Sequence, residues 1–160
     1  MAEDFLKYLT FEVASQLYAI SIDKVREIIT GCDSITTVPG FPHFARGIIH
    51  LRGNVVPITD LRRRFRIEGD VSGEGCIIVT ECEGAHTELV GFAADKVNAV
   101  LDFEASEIKQ PPTLIRGADY INGIIKVKGQ IILILDPILL LSEGARAEIE
   151  KALSEGSGSL

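Results

Sequence analysis

Apolar residues along this chain come in short runs rich in Ile and Val, separated by turn residues, and the polar positions between them recur with a period near two. That pattern predicts β-strands rather than helices. Tyr8 to Val13 alternates cleanly. Ile48-Ile49-His50-Leu51 and Val55-Val56-Pro57-Ile58 flank Arg52-Gly53-Asn54, which predicts a hairpin, because Gly and Asn tolerate the positive φ that a tight turn demands. Lys128-Gly129-Gln130 predicts the same turn again further on. Gly47, Gly53, Gly123 and Gly129 are assigned to shaping these two hairpins. Asp60 and Asp136 each stand where a strand run ends, and Pro137 follows the latter, so both read as N-caps of short helices. Asp60 read as a catalytic carboxylate is the weaker option, since its position beside an apolar strand recurs at Asp136. Ile22, Val25, Ile28 and Ile29 have helical spacing, but Ala94, Val97, Val100 and Leu101 occupy matching places and favour extended chain. One helical turn at Asp23-Lys24-Val25 followed by a strand reconciles the two. Ala145, Ile149, Ala152 and Leu153 form an amphipathic stripe, predicting a helix over 145–155 that docks on its own domain or on a partner. The Gly-Ser run at 156–160 predicts a flexible tail.

The chain is written twice. Gly47-Ile48-Ile49-His50-Leu51-Arg52-Gly53 returns as Gly123-Ile124-Ile125-Lys126-Val127-Lys128-Gly129, at an offset of 76 residues. Extending the pairing from Phe44–Leu61 onto Tyr120–Pro137 gives six identities in 18 positions, against about one expected from average composition. Leu17 to Val25 matches Leu89 to Val97 at an offset of 72. The second copy therefore carries four extra residues, which fall in the connection Ile108 to Ile115 with Pro111 and Pro112, and insertions belong in loops. Two copies of this size argue for two packed subdomains rather than a solenoid, which needs at least three repeats to bury its faces.

Composition narrows the function. A chain of 160 residues with 46% hydrophobic residues and mean hydropathy +0.24 can bury a real core. The net charge of −7 disfavours tracking a phosphate backbone. The acidic opening Met1-Ala2-Glu3-Asp4 argues against an export signal, and the most apolar segment, Ile131 to Leu141, is too short and interrupted to span a bilayer. The expected location is cytoplasmic, with no direct membrane insertion. Cys32, Cys76 and Cys82 are odd in number and lack zinc or redox spacing, which predicts reduced thiols. Cys82, His86 and Glu88 lack a second ligand pair, so no metal is expected. Gly73-Glu74-Gly75 lacks the Lys-Ser/Thr and strand-to-helix context of a phosphate loop. His50 and His43 read as exposed positions, and no nucleophile or acid–base set has motif support, so the chain is expected to be no enzyme and to need no cofactor. Arg62, Arg63, Arg64 and Arg66 form the one dense basic run. An RNA or DNA grip by a small barrel is the alternative it raises; a solvated helix face is the reading favoured, and no nucleic-acid partner is expected.

The stretch from Gly47 to Arg62 resembles the signature of the CheW family, in which a glycine, "NLRG" and "VPVxDLR" occur in order. It departs at His50, where Asn is usual, and at Thr59. Tyr8-Leu9-Thr10-Phe11, Tyr18-Ala19-Ile20, Asp23 to Ile29, Val90-Gly91-Phe92 and Asp95-Lys96-Val97 also fit, so the resemblance runs from about Phe5 to Leu141. It implies a mainly β fold: two pseudo-twofold related five-stranded SH3-like β-barrels with short helices and a C-terminal helix. The expected layout is one domain over 5–144, with a first barrel at about 14–83 and a second at about 84–144 that can take the N-terminal strand in exchange. The resemblance further implies a stand-alone, noncatalytic cytosolic adaptor, recruited to membrane-associated arrays, that joins chemoreceptor hairpin tips to the regulatory domain of the histidine kinase CheA. Assembly with other CheW-like domains fits the same picture. Val25, Glu27 and Arg52 match family positions at or near the receptor and kinase contacts; a barrel-core role for Val25 and a surface ion pair for Glu27 and Arg52 are the ordinary readings beside it.

Overall fold

A computed structural model describes residues 5–82, 88–112, 120–141, and 149, 151, 153 and 154. The predicted alternation forms β1 (Phe5–Val13), β2 (Gln16–Ser21), β3 (Val25–Thr30), β4 (Ala45–Leu51), β5 (Asn54–Asp60), β6 (Cys76–Cys82), β7 (Glu88–Ala94), β8 (Lys96–Glu104), β9 (Ile121–Val127) and β10 (Gln130–Leu135). Two one-turn helices, α1 (Leu61–Arg64) and α2 (Pro137–Leu140), follow β5 and β10. A 3-10 turn at Ile22–Lys24 runs directly into β3, as the mixed spacing there required.

The strands form two five-stranded sheets, ordered β3-β6-β7-β5-β4 and β8-β1-β2-β10-β9. Each sheet thus takes three strands from one copy and a two-strand hairpin from the other. β2 joins β10 in parallel, and β7 joins β5 in parallel. A division at 14–83 and 84–144 therefore misplaces β2 and β7: the chain crosses between sheets twice, between Ser21 and Val25 and between Ala94 and Lys96, and a whole hairpin is exchanged in each direction rather than one N-terminal strand. The chain leaving the edge strand β3 returns to the opposite edge through the bridge Thr36–Ile48, and the chain leaving β8 does so through Lys109–Ile124. These bridges close each sheet on itself. Their offsets of 73 and 76 place most of the second copy's extra length between Lys109 and Ile124.

Three apolar clusters result. Ile49, Val56, Ile58, Ile77 and Val79 fill the first barrel, and Tyr8, Phe103, Ile125, Ile132 and Ile134 fill the second. Between them lies a larger cluster to which the exchanged hairpins contribute Leu9, Phe11, Tyr18, Ile20, Ile78 and Phe92. The exchanged strands are buried on both faces: on β6, Ile77 and Val79 point into a barrel while Cys76 and Ile78 point into the centre.

The hairpin turns are tighter than the sequence suggested. Leu51 pairs with Asn54, so the turn is Arg52-Gly53 alone, with φ of 51° and 83°, the signature of a type I′ turn. Asn54 opens β5, and the left-handed load falls on Arg52. Lys128 and Gly129 repeat this with φ of 50° and 80°. Gly47 and Gly123 do other work than shaping these turns. They lie within β4 and β9, where a Cβ would run into the Thr36 carbonyl at one and the Ile108 side chain at the other. They make room for the closing bridges. Ile149, Lys151, Leu153 and Ser154 are helical, with Ile149 and Leu153 on the central cluster, so the stripe docks on its own domain. Ala145, Ala152 and the tail 156–160 lie outside the described residues.

Candidate partner-binding surface

β3 carries the first group of expected contact residues. A register shift between Val25 and Glu27 puts Val25 and Ile28 on the face directed at the central cluster and Glu27 on the barrel side. Val25 packs half-buried against that cluster. Glu27 reaches Arg52 at 2.8 Å, linking β3 to the β4–β5 turn at the opposite edge of the same sheet. The Arg52 side chain is 82% exposed. Glu27 and Arg52 are thus brought together, and Val25 stands two residues away with its side chain in the seam between barrels.

Duplication brings out residues the sequence reading passed over. Ile28 is 42% exposed and its counterpart Val100 is 48% exposed. Val100 pairs with Leu9 and Ile28 with Ile78, both members of the central cluster. Val25 and Val97, also counterparts, pack on that cluster from the two sides. The seam therefore has matched apolar borders on β3 and β8. Val55 and Ile131 are a second matched pair, 45% and 51% exposed at the starts of β5 and β10. The signal was available: each member sits at the same place in the repeat and stays β-branched on an outward strand face.

The arginine run is not a solvated helix face. Arg62 grips Asp95 through Nε and Nη2 at 2.8–3.1 Å. Arg63 grips Asp70 at 2.9 Å through two bonds. Arg64 lies 4.7 Å over the Tyr120 ring and donates from Nε to the Leu140 carbonyl at 2.8 Å. That ring ends a stack through Phe65 and Tyr18 to Phe11, with centroids 4.9–5.9 Å apart. Arg66 alone of the four is exposed. The run pins α1 to both barrels, which commits three of its four guanidiniums within the fold rather than to a phosphate backbone.

Asp60 is a cap and more. Its Oδ1 accepts from Arg62 N at 2.9 Å, and its Oδ2 accepts from Val71 N at 3.0 Å and Arg46 Nη1 at 3.3 Å. Asp136 accepts from Ile138 N at 2.9 Å. His43 and His50 are exposed. All three cysteines are buried; burial pushes the Cys76 thiol up to about 11 and raises Cys32 as well, so neither is a thiolate at neutral pH. Among the described residues no group of His, Cys, Asp and Glu could hold a metal ion, and no helix is long and apolar enough to cross a membrane. His86 lies outside the described residues.

Asp95 fixes the exchanged hairpin to α1. Burial pushes its carboxyl up, but the Arg62 guanidinium and the Ala14 N–H outweigh that and hold it below the usual carboxylate range. Its contribution to stability is complete above the ordinary carboxylate pKa of about 4 and is lost as pH falls through the lower folded value. Arg62→Gln is expected to move the onset of acid unfolding to higher pH, read by circular dichroism. An unchanged acid titration would show that the pair contributes nothing.

Residues 7–145 match the family model described as the CheW-like domain. The chain is 32% identical to the chemotaxis protein CheW of Bacillus subtilis over 141 residues, covering 86% of this chain and 87% of that protein. It is 30% identical to the chemotaxis protein CheW of Klebsiella aerogenes over 146 residues, covering 90% and 86%. The crystal structure of the scaffolding protein TtCheW from Thermoanaerobacter tengcongensis superposes with a TM-score of 0.79 at 31% identity, covering 88% of this chain and 94% of that one. With the motif order, the duplicated barrels and the exchanged hairpins all in agreement, this chain belongs to the CheW family of chemotaxis scaffold proteins.

Proposed function

We propose that this chain couples the cytoplasmic hairpin tips of chemoreceptors to the regulatory domain of the histidine kinase CheA, as a noncatalytic cytoplasmic adaptor recruited to membrane-associated receptor arrays. The observation that carries this reading is the duplicated apolar border of the seam, Val25 and Ile28 on one barrel and Val97 and Val100 on the other. A helical hairpin offers apolar side chains at i, i+3, i+4 spacing, which such a seam can receive. The ends of the barrels remain for a partner of like fold. Each contact can be small, because neighbours in an array raise the effective concentration of the next. Val25, Glu27 and Arg52 are assigned to these contacts. Neither step needs a cofactor, and a nucleic-acid role is not favoured with Arg62, Arg63 and Arg64 committed within the fold.

Calorimetry with a CheA regulatory domain and with a receptor cytoplasmic fragment tests the assignment; silence toward both overturns it. Arg52→Glu is expected to weaken at least one of these complexes about fivefold, roughly 1 kcal/mol. The circular-dichroism spectrum and melting temperature should stay near wild type, since an exposed ion pair is worth about 0–1 kcal/mol. If Arg52→Glu unfolds the protein, Arg52 serves the fold instead. Ile28→Asp should weaken the receptor complex more than the kinase complex.

A further inference from the structure

Arg64 stands where the two copies meet. At the repeat offset of 76 its counterpart is Leu140, and the counterpart of Phe44 is Tyr120. The guanidinium lies 5.8 Å from the centroid of the Phe44 ring and 4.7 Å from that of Tyr120, and Nε donates to the Leu140 carbonyl at 2.8 Å. A residue that touches its own counterpart, beside a second pair of counterparts, marks the pseudo-twofold axis relating the barrels. Leu140, fully buried in the central cluster, brings no polar side chain to that axis, and a second arginine there would set like charges together. The cation therefore comes from the first copy alone. It answers one of the last carbonyls of α2, which find no donor within so short a helix. Within the arginine run, Arg62 and Arg63 bond to Asp95 and Asp70, and Arg64 is the member whose bond reaches α2. The cluster around it is mostly apolar, and apolar burial rewards contact area more than direction. A hydrogen bond to a main-chain oxygen, with a ring on each copy beside the same guanidinium, is directional.

We propose that Arg64 is the positioning residue of the seam. From the axis it fixes the tilt of one barrel on the other, and with it the spacing between the border Val25 and Ile28 and the border Val97 and Val100. These borders lie on β3 and β8, strands of different sheets, so any relative rotation of the barrels changes the gap between them. Arg64 acts through the barrels rather than by touching the receptor. The inference rests on the reading of the seam as the receptor site.

Arg64→Leu, which writes the second copy's residue into the first, tests this in the full-length chain by amide residual dipolar couplings, with the alignment fitted separately to the two sheets. In the wild type one alignment should describe both sheets. In Arg64→Leu the two fits are expected to separate by an angle on the order of 10° or to differ in magnitude. Well below the melting transition, the variant should bind a receptor cytoplasmic fragment about threefold or more weakly than wild type, while binding of a CheA regulatory domain changes by less than about twofold. Arg64→Lys keeps a cation beside the rings but not the planar fork that stacks and donates at once; its sheets should separate less, and it serves as the test if the leucine variant does not fold. A single alignment in every folded variant overturns the proposal, even with a lowered melting temperature, because a pin that only stabilises leaves the sheets in place. Separated sheets with unchanged receptor affinity overturn it as well. Separated sheets in a protein whose wild type binds no receptor fragment would instead overturn the receptor reading of the seam and uphold the hold of Arg64 on the barrel angle.

Discussion

Asp60→Ala is expected to destabilise the protein by about 3–5 kcal/mol, whereas Asp136→Ala should cost about 1 kcal/mol. The two residues hold the same place in the repeat and both cap a one-turn helix. They differ in what else they hold. The Asp60 side chain is fully buried and answers Arg46, itself only 21% exposed, as well as the Val71 N–H. Removing it strands a partly buried guanidinium and two kinds of backbone donor. Asp136 loses one exposed cap bond. At about 2–4 °C per kcal/mol for a chain of this size, the melting temperature should fall by about 10 °C in the first variant and by about 3 °C in the second. Equal falls would mean that the Arg46–Asp60–Val71 network adds nothing to capping. Asp60→Asn should lie between, since Asn caps as well as Asp but carries no charge for Arg46.

That asymmetry marks the limit of what the sequence could reveal. Alternation and repeated turns disclosed the strands, both hairpins, both caps and the duplication, because each depends on local chemistry: positive φ at Gly53 and Gly129, a carboxylate before a free helix end. The exchange of hairpins was foreshadowed only as the exchange of one N-terminal strand that the family resemblance implied, because strand pairing is set by burial on both faces. β6 and β7 are apolar at nearly every position, which a single curled sheet with one wet face would not require. The arginine run misled for a related reason. Its partners Asp95 and Asp70 lie 33 and seven residues away in sequence, and charge density alone does not disclose that Arg62, Arg63 and Arg64 already have a carboxylate or a ring. The seam residues were the reverse case. Ile28 and Val100 entered only as members of apolar runs that decide between helix and strand, and their exposure emerges only once β3 and β8 are edge strands.

The exchange has an energetic consequence that a partner-binding scaffold can use. Neither barrel is complete without the other copy's hairpin, so one cannot open while the other persists; unfolding should be a single transition. Phe92→Ala tests this at the point where the hairpins meet. Phe92 is fully buried in the central cluster and pairs with Thr59 of β5, so truncation should cost about 3–5 kcal/mol. Although Phe92 lies in the first sheet, hydrogen-exchange protection of β5 and β10 amides should fall together, by about two to four orders of magnitude. Loss confined to β5, or a second transition in the melt, would show two bodies that merely touch. A common fall means that a partner bound at one barrel biases the packing of both, because the shared hairpins leave no independent way for either to relax.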